Sequence, residues 1–360
     1  MAVIRRSNCK RRHIKENNRL DDSPSAFVLA VFLRNHPPCM KFKDEKPISS
    51  LFTFRKLCIM RSLQARIAFA REKERVGMKD ILHVGVVQMA VSKDTATNIE
   101  RFEHYVNALM KSFHKPELVI GVEGGIGYNV MEPIPGPTTE RLCAIAKKHG
   151  IYLVPGSMSE TDEKLGQGEW YNSIPVINPQ GEIIAVYRKI CPWYPEETST
   201  PGHEYVVFPI PEKNTVIGVS NCYDLSFPEI SRNLALMGAE VIIRPAMDPE
   251  PLYRMYRHVI AARAVENQAY YLSVNACGIY DSSTNYGHSA IVDPEAHFLW
   301  EAGKEDSFVT VPLDLGLVRR SREHGTMYKD HLLKHLRLFK PAMPYASNLD
   351  AAPLFRKWDD

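Results

Sequence analysis

The chain of 360 residues has no apolar run near the roughly 18 to 20 residues that a membrane-spanning helix requires. Its longest, around Ala26–Leu33, falls well short, and no membrane partner is expected. It also lacks any CxxC pair. The seven cysteines (Cys9, Cys39, Cys58, Cys143, Cys191, Cys222, Cys277) are odd in number and follow no framework spacing. That argues against a structural zinc site, a redox dithiol or a secreted disulfide scaffold, and favours a reducing cytoplasm. Neither GxGxxG nor GxxxxGK followed by Ser or Thr occurs, so Gly124, Gly125 and Gly127 are not read as a phosphate loop. No repeat of about 20 to 50 residues appears, which excludes solenoids and propellers. His331 and His335 stand at i, i+4 without an accompanying Glu-x-x-His, and a charged surface helix explains them better than a metal pair. No metal and no cofactor are expected.

What is present is a globular composition, 44% hydrophobic and 24% charged. The net charge of +3 conceals two unlike parts. Residues 1–77 carry 18 Lys+Arg against 7 Asp+Glu, leaving 27 against 35 for residues 78–360. The body, at −8, repels a phosphate backbone, so no nucleic-acid partner is expected. Three readings compete for the basic head. It is a disordered basic arm, an organelle presequence, against which Glu16, Asp21 and Asp22 argue, or sequence translated upstream of a true start at Met60 or Met78. The last fits best, because a strand pattern, Ile81–Met89, follows Met78 at once. The expected organisation is a basic extension over 1–77, one globular domain over 78–345 and a tail over 346–360.

Within the body, strand and helix patterns alternate. Strands are expected at Ile81–Met89, Leu118–Val122, Tyr152–Pro155, Ser173–Ile177, Glu182–Tyr187, Thr215–Asn221, Val241–Arg244, Ala269–Val274, His288–Val292, His297–Trp300 and Phe308–Val311. Helices are expected at Thr95–His114, Thr138–His149, Phe227–Met237 and Leu252–Glu266. The turn Asn178-Pro-Gln-Gly181 predicts a hairpin. The fold class is therefore α/β with mixed sheets. After Leu313 the pattern is an extended arm with one helix, of a kind that crosses subunit interfaces.

Three places carry chemistry. At Val219-Ser-Asn-Cys222 a buried strand ends on a thiol, with Ser226 as an N-cap and Pro228 in the first helical turn. A helix N-terminus there favours thiolate; the bland alternative is a structural buried cysteine. Lys189 closes an apolar strand before a loop rich in Pro and aromatics, where it could face a developing oxyanion or merely snorkel. Glu123 tips the run Leu118-Val-Ile-Gly-Val before three glycines, a costly position for a carboxylate without a partner.

Together, in the order Glu123, Lys189, Glu197, Cys222, these residues resemble the nitrilase superfamily of carbon-nitrogen hydrolases, and within it the aliphatic amidase and formamidase branch. The motifs are Tyr187-Arg-Lys189 with Pro192-Trp193-x-Pro195-x-Glu197, then Cys222-x-Asp224-x-x-Phe-Pro-Glu-Ile230, then Tyr286-Gly-His-Ser-Ala-Ile291. The resemblance covers nearly all of 78–345. It implies a four-layer α-β-β-α sandwich with two mixed sheets, a homo-oligomer, and hydrolysis of a small amide through a cysteine thioester. Cys222 is then the nucleophile, Glu123 the general base, and Lys189 with the N–H of Tyr223 the oxyanion donors. Glu197 positions Lys189 or the amide, although the adjacent Glu196 is not separated from it by spacing alone. Trp193, Tyr194, Tyr223 and Met247 are expected to contact substrate. The chain departs from the family pattern at Val122, Gly124, Thr198 and Pro245-Ala-Met-Asp248, all around the substrate pocket. Asp224, two residues after the nucleophile, favours amides over nitriles. The alternatives are an N-carbamoyl amide hydrolase, with Arg244 or Arg254 meeting a substrate carboxylate, a nitrilase, or a non-catalytic nitrilase-like subunit.

Overall fold

The computed structural model describes residues 80–338. Met78, the basic extension and the tail over 346–360 lie outside the described residues. In chain order the strands are β1 (Ile81–Gln88), β2 (Leu118–Glu132), β3 (Tyr152–Glu160), β4 (Tyr171–Ile177), β5 (Ile183–Arg188), β6 (Val206–Ile210) and β7 (Thr215–Val219). There follow β8 (Val241–Ala246), β9 (Tyr270–Asn275), β10 (Cys277–Tyr280), β11 (Ser283–Tyr286), β12 (Ala290–Val292), β13 (Phe298–Glu301) and β14 (Ser307–Asp314). The helices are α1 (Thr95–Leu109), α2 (Pro137–His149), α3 (Pro228–Leu236), α4 (Tyr253–Asn267), α5 (Leu315–His324) and α6 (Leu332–Leu336).

Two six-stranded mixed sheets form the middle of the molecule, ordered β14-β1-β2-β3-β4-β5 and β13-β12-β9-β8-β7-β6. β1, β2 and β3 run parallel, as do β7, β8 and β9, and the flanking strands are antiparallel. Period-two alternation decides which side chains meet between the sheets. In β8, Val241 and Ile243 join the inter-sheet core, whereas Ile242 packs outward with Leu234 of α3 and Ile260 of α4. Gly218 in β7 keeps the outer surface low: a Cβ there would sit 3.1 Å from the side chains of Leu234 and Ala239. On the other sheet, α1 buries Ile99, Phe102, Val106 and Leu109 at helical spacing. The result is the expected four-layer α-β-β-α sandwich.

Several boundaries differ from expectation. α1 stops at Leu109 rather than His114, because Met110 already caps it and Phe113 is fully exposed. β2 does not end at Val122 before a glycine turn. It continues to Glu132 as a bulged strand, its register against β3 slipping after Val122 and again after Gly127. Ser226 is not an N-cap: it lies in a 3-10 turn over Cys222–Ser226, Phe227 caps α3 without a side-chain bond, and the Ser226 hydroxyl meets Tyr256. After Leu313 two helices appear where one was expected. The short β6, β10 and β11 carry too few residues to show a period in the sequence.

These details position the site. A Cβ on Gly156 would lie 1.9 Å from the Val122 carbonyl, and one on Gly121 2.1 Å from that of Pro155. β2 and β3 thus cross more closely than side chains permit, and the bulge that follows turns Glu123 out of the ladder. The bulged part of β2 and the ends of β5, β7 and β8 converge on one cavity of about 300 Å³.

Candidate active site

Lys189 leaves the end of β5 and is 1% exposed. Its ammonium contacts Glu123 Oε1 at 2.9 Å and Glu197 Oε2 at 2.5 Å. Burial opposes its charge, yet Cys222, Glu123 and Glu197 outweigh that and raise its pKa well above the usual lysine value. For Glu197 burial again works against the charge, and Lys189 wins, holding the carboxyl below its ordinary range. Glu197 also accepts from Ser199 Oγ at 2.7 Å and from the Trp193 N–H at 3.3 Å. The second carboxylate on the lysine is therefore Glu197. Glu196 lies on the cavity wall with an exposed side chain.

Asn172, at the start of β4, links the two carboxylates. Its Nδ2 donates to Glu123 at 2.9 Å and Glu197 at 2.8 Å, and lies 3.0 Å from the Tyr128 hydroxyl. Its Oδ1 accepts from Asn221 Nδ2 at 3.1 Å, which ties the cluster to the residue before Cys222. Asn172, Ser199 and Tyr128 escaped the sequence reading. A lone Asn in a strand has no distinguishing pattern, and only the cross-strand register brings it to Glu123.

Cys222 adopts the left-handed conformation, φ +47°, at the junction of β7 and the 3-10 turn. Few non-glycine residues do so, and such strain concentrates at functional sites. Asp224 fixes this turn: it accepts from Tyr187 OH at 2.5 Å, Asn221 N at 2.8 Å and Cys191 N at 3.0 Å. One buried carboxylate thereby joins the strand carrying Lys189 to the turn carrying Cys222. Burial raises Asp224 to about 6 against these bonds.

The surroundings of the sulfur oppose the expected thiolate. Burial, then Glu123 and Asp248, push the Cys222 thiol well above the ordinary cysteine value, and Lys189 and Arg244 only partly oppose them. The turn is too short, and the carboxylates too near, for a helix N-terminus to dominate. The thiol donates to Asp248 Oδ1 at 3.4 Å. Asp248 is held in turn by Arg244 Nη2 and the Tyr286 hydroxyl, each at 2.8 Å. Arg244 is fully buried and also donates to the Cys222 carbonyl at 2.7 Å.

Of the expected substrate contacts, Trp193 and Met247 line the cavity. Tyr194 does not: it is 59% exposed and its hydroxyl donates to the Ser199 carbonyl. The Tyr223 ring is also absent from the wall, packing against Phe227 and Trp193. An aromatic-rich loop does not disclose which of its rings turn inward. Gly124, where the family carries an aromatic, has φ +66°, and a Cβ there would meet the Tyr128 ring at 2.5 Å and Met247 at 2.8 Å. Tyr128 and Met247 fill the place of the missing ring. Neither Arg244 nor Arg254 reaches the cavity wall. His331 and His335 are adjacent on a C-terminal helix, with rings 5.8 Å apart.

A paired-sheet sandwich holding a buried Glu, Lys, Glu and Cys at one cavity is the arrangement of a carbon-nitrogen hydrolase. The family model for carbon-nitrogen hydrolases matches residues 83–323, and the chain belongs to that family. An (R)-stereoselective amidase from Pseudomonas sp. is 31% identical over 263 residues, covering 70% of this chain and 92% of the relative. The omega-amidase NIT2 of Danio rerio is 31% identical over 253 residues, covering 64% and 88%. Among solved structures, Saccharomyces cerevisiae Nit3, a member of branch 10 of the nitrilase superfamily, superposes with a TM-score of 0.63. It is 27% identical, over 68% of this chain and 94% of that one. An amidase from Nesterenkonia sp. AN1, at 23% identity and a TM-score of 0.59, shares the fold over 72% of this chain and 97% of its own.

Proposed function

We propose that the protein hydrolyses a small amide to a carboxylic acid and ammonia through a thioester on Cys222. The observation that carries this reading is the meeting of Cys222, Glu123 and Lys189, all buried, on the wall of one cavity. Glu123 takes the thiol proton as sulfur attacks the amide carbon, and the C=O electrons move onto oxygen. Lys189 Nζ and the backbone N–H of Tyr223 stabilise that oxyanion in a site of low dielectric. Collapse of the intermediate breaks the C–N bond while Glu123 returns the proton to the leaving nitrogen, releasing ammonia. Water, deprotonated by Glu123, then cleaves the thioester and regenerates thiol and acid. Glu197 keeps Lys189 charged and fixed, and Asn172 keeps the two carboxylates apart.

A raised thiol pKa supports the assignment of Glu123, because a thiol that stays protonated needs a base at the moment of attack. Relatives named as amidases favour amides over nitriles. The cavity walls favour a plain amide over an N-carbamoyl acid, since neither Arg244 nor Arg254 faces a bound carboxylate. Homo-oligomerisation belongs to the same reading; Leu236, Met237 and Met255 are exposed on the outer helical layer, and sedimentation measures it. The functional test is ammonia release from short aliphatic amides, N-carbamoyl amino acids and the matching nitriles. Amides should be turned over fastest, and a Cys222→Ala protein releasing ammonia at the wild-type rate would refute the assignment.

A further inference from the structure

We propose that the cavity selects amides whose acyl group carries a positive charge, and that Glu196 is the residue that reads it. The inference rests on the amide-hydrolysis reading above and deepens it. Three carboxylates line the cavity, Glu123, Glu196 and Glu197, against a single cation among the described residues, Lys189. That lysine is already engaged by two of the three, and its task is the oxyanion. Glu196 is left over. Its side chain is exposed at the mouth and has no ion-pair or hydrogen-bond partner among the described residues.

The rest of the wall suits the same ligand. Trp170, Trp193 and Tyr280 are partly exposed to the cavity, and aromatic faces attract ammonium groups through their quadrupole. Thr198, a small and exposed side chain, lines the cavity close to Glu196 in the chain. An acyl group entering with its amide toward Cys222 therefore carries its distal end past aromatic faces to an unneutralised carboxylate. An ammonium there gains an ion pair. A carboxylate there meets a like charge, and the buried Arg244 is already spent on Asp248 and the Cys222 carbonyl.

Three amides sharing a butanamide spine test this directly: 4-aminobutanamide, pentanamide and glutaramate, which end in ammonium, methyl and carboxylate. The expected order of kcat/KM is ammonium, then methyl, then carboxylate, with about tenfold between the first two at low ionic strength for one charge pair near a surface. The ammonium advantage should appear mainly in KM and shrink with added salt, while pentanamide stays insensitive. Glu196→Gln should reduce the ratio of kcat/KM between 4-aminobutanamide and pentanamide several-fold. Glutaramate faster than pentanamide, or a ratio unmoved in Glu196→Gln, overturns the inference and leaves the hydrolase reading standing. If all three are inert and none acylates Cys222, the hydrolase reading falls first and takes this inference with it.

Discussion

Replacing Asn172 by Leu keeps the branched shape of the side chain and deletes its hydrogen bonds. Two of them run to carboxylates, Glu123 at 2.9 Å and Glu197 at 2.8 Å, and a third satisfies Asn221 Nδ2. Hydrogen bonds to charged groups contribute about 1.5–3 kcal/mol each, and an orphaned buried donor costs about 1–3 kcal/mol more. Burying a leucine there offsets about 2 kcal/mol of this. The net loss is then on the order of 3 kcal/mol, or a melting temperature lower by roughly 6–12 °C for a domain of this size. The functional loss should be separate and larger. Glu123 would lose one of its anchors, and a base misplaced by about 1 Å costs about a hundredfold in kcat. Circular dichroism melts, with ammonia release assayed well below the lower melting point, separate the two effects. A variant folded at the assay temperature with kcat/KM within twofold of wild type would show that Asn172 merely fills space.

Other perturbations address other links. Lys189→Met leaves Glu123 and Glu197 without their shared cation, so one must take up a proton. Turnover should fall by about a thousandfold or more, and retention of a tenth of wild-type kcat would contradict the oxyanion role. Because burial raises Asp224 to about 6, the folded protein gains a proton there as the pH falls through that value, while an unfolded chain's aspartate is still ionised. The neutral acid cannot accept from Tyr187, Asn221 and Cys191 at once, so kcat/KM should drop on the acid side with an apparent pKa near 6. A profile flat from pH 7.5 to about 4.5 would exclude that coupling. Gly156→Ala forces a Cβ to 1.9 Å from the Val122 carbonyl at φ +110°, and should destabilise the domain by about 3 kcal/mol or more while displacing Glu123. An unchanged denaturation midpoint would mean that β2 and β3 can separate without consequence.

The sandwich was legible because its core strands are short apolar runs bounded by turn residues, as at Val241–Arg244 and Ser173–Ile177. The four central groups were legible because each ends such a run, at Val122-Glu123, Arg188-Lys189 and Asn221-Cys222, and because their spacing matches a family. What failed was whatever depends on direction or register. Gly124, Gly125 and Gly127 looked like a turn, yet serve a bulged strand, since glycine permits both. Tyr194 looked like a pocket wall, but its ring turns elsewhere. Asn172 and the Asp248–Arg244 pair were invisible as functional elements, because their partners lie on other strands and 22 to 49 residues away in the chain. The carboxylates that oppose a thiolate at Cys222 were hidden for the same reason, since Glu123 and Asp248 lie far from it in the chain.

The central claim is covalent, and mass spectrometry of the acid-quenched reaction addresses it most directly. Protein mixed with an amide, quenched within a turnover and digested should carry the acyl mass on the peptide containing Cys222. The adduct should be lost from Cys222→Ala and should accumulate when the hydrolysis step is slowed. Ammonia released at the wild-type rate with no adduct on Cys222, or with the acyl group on Cys143, Cys191 or Cys277 instead, would contradict the account.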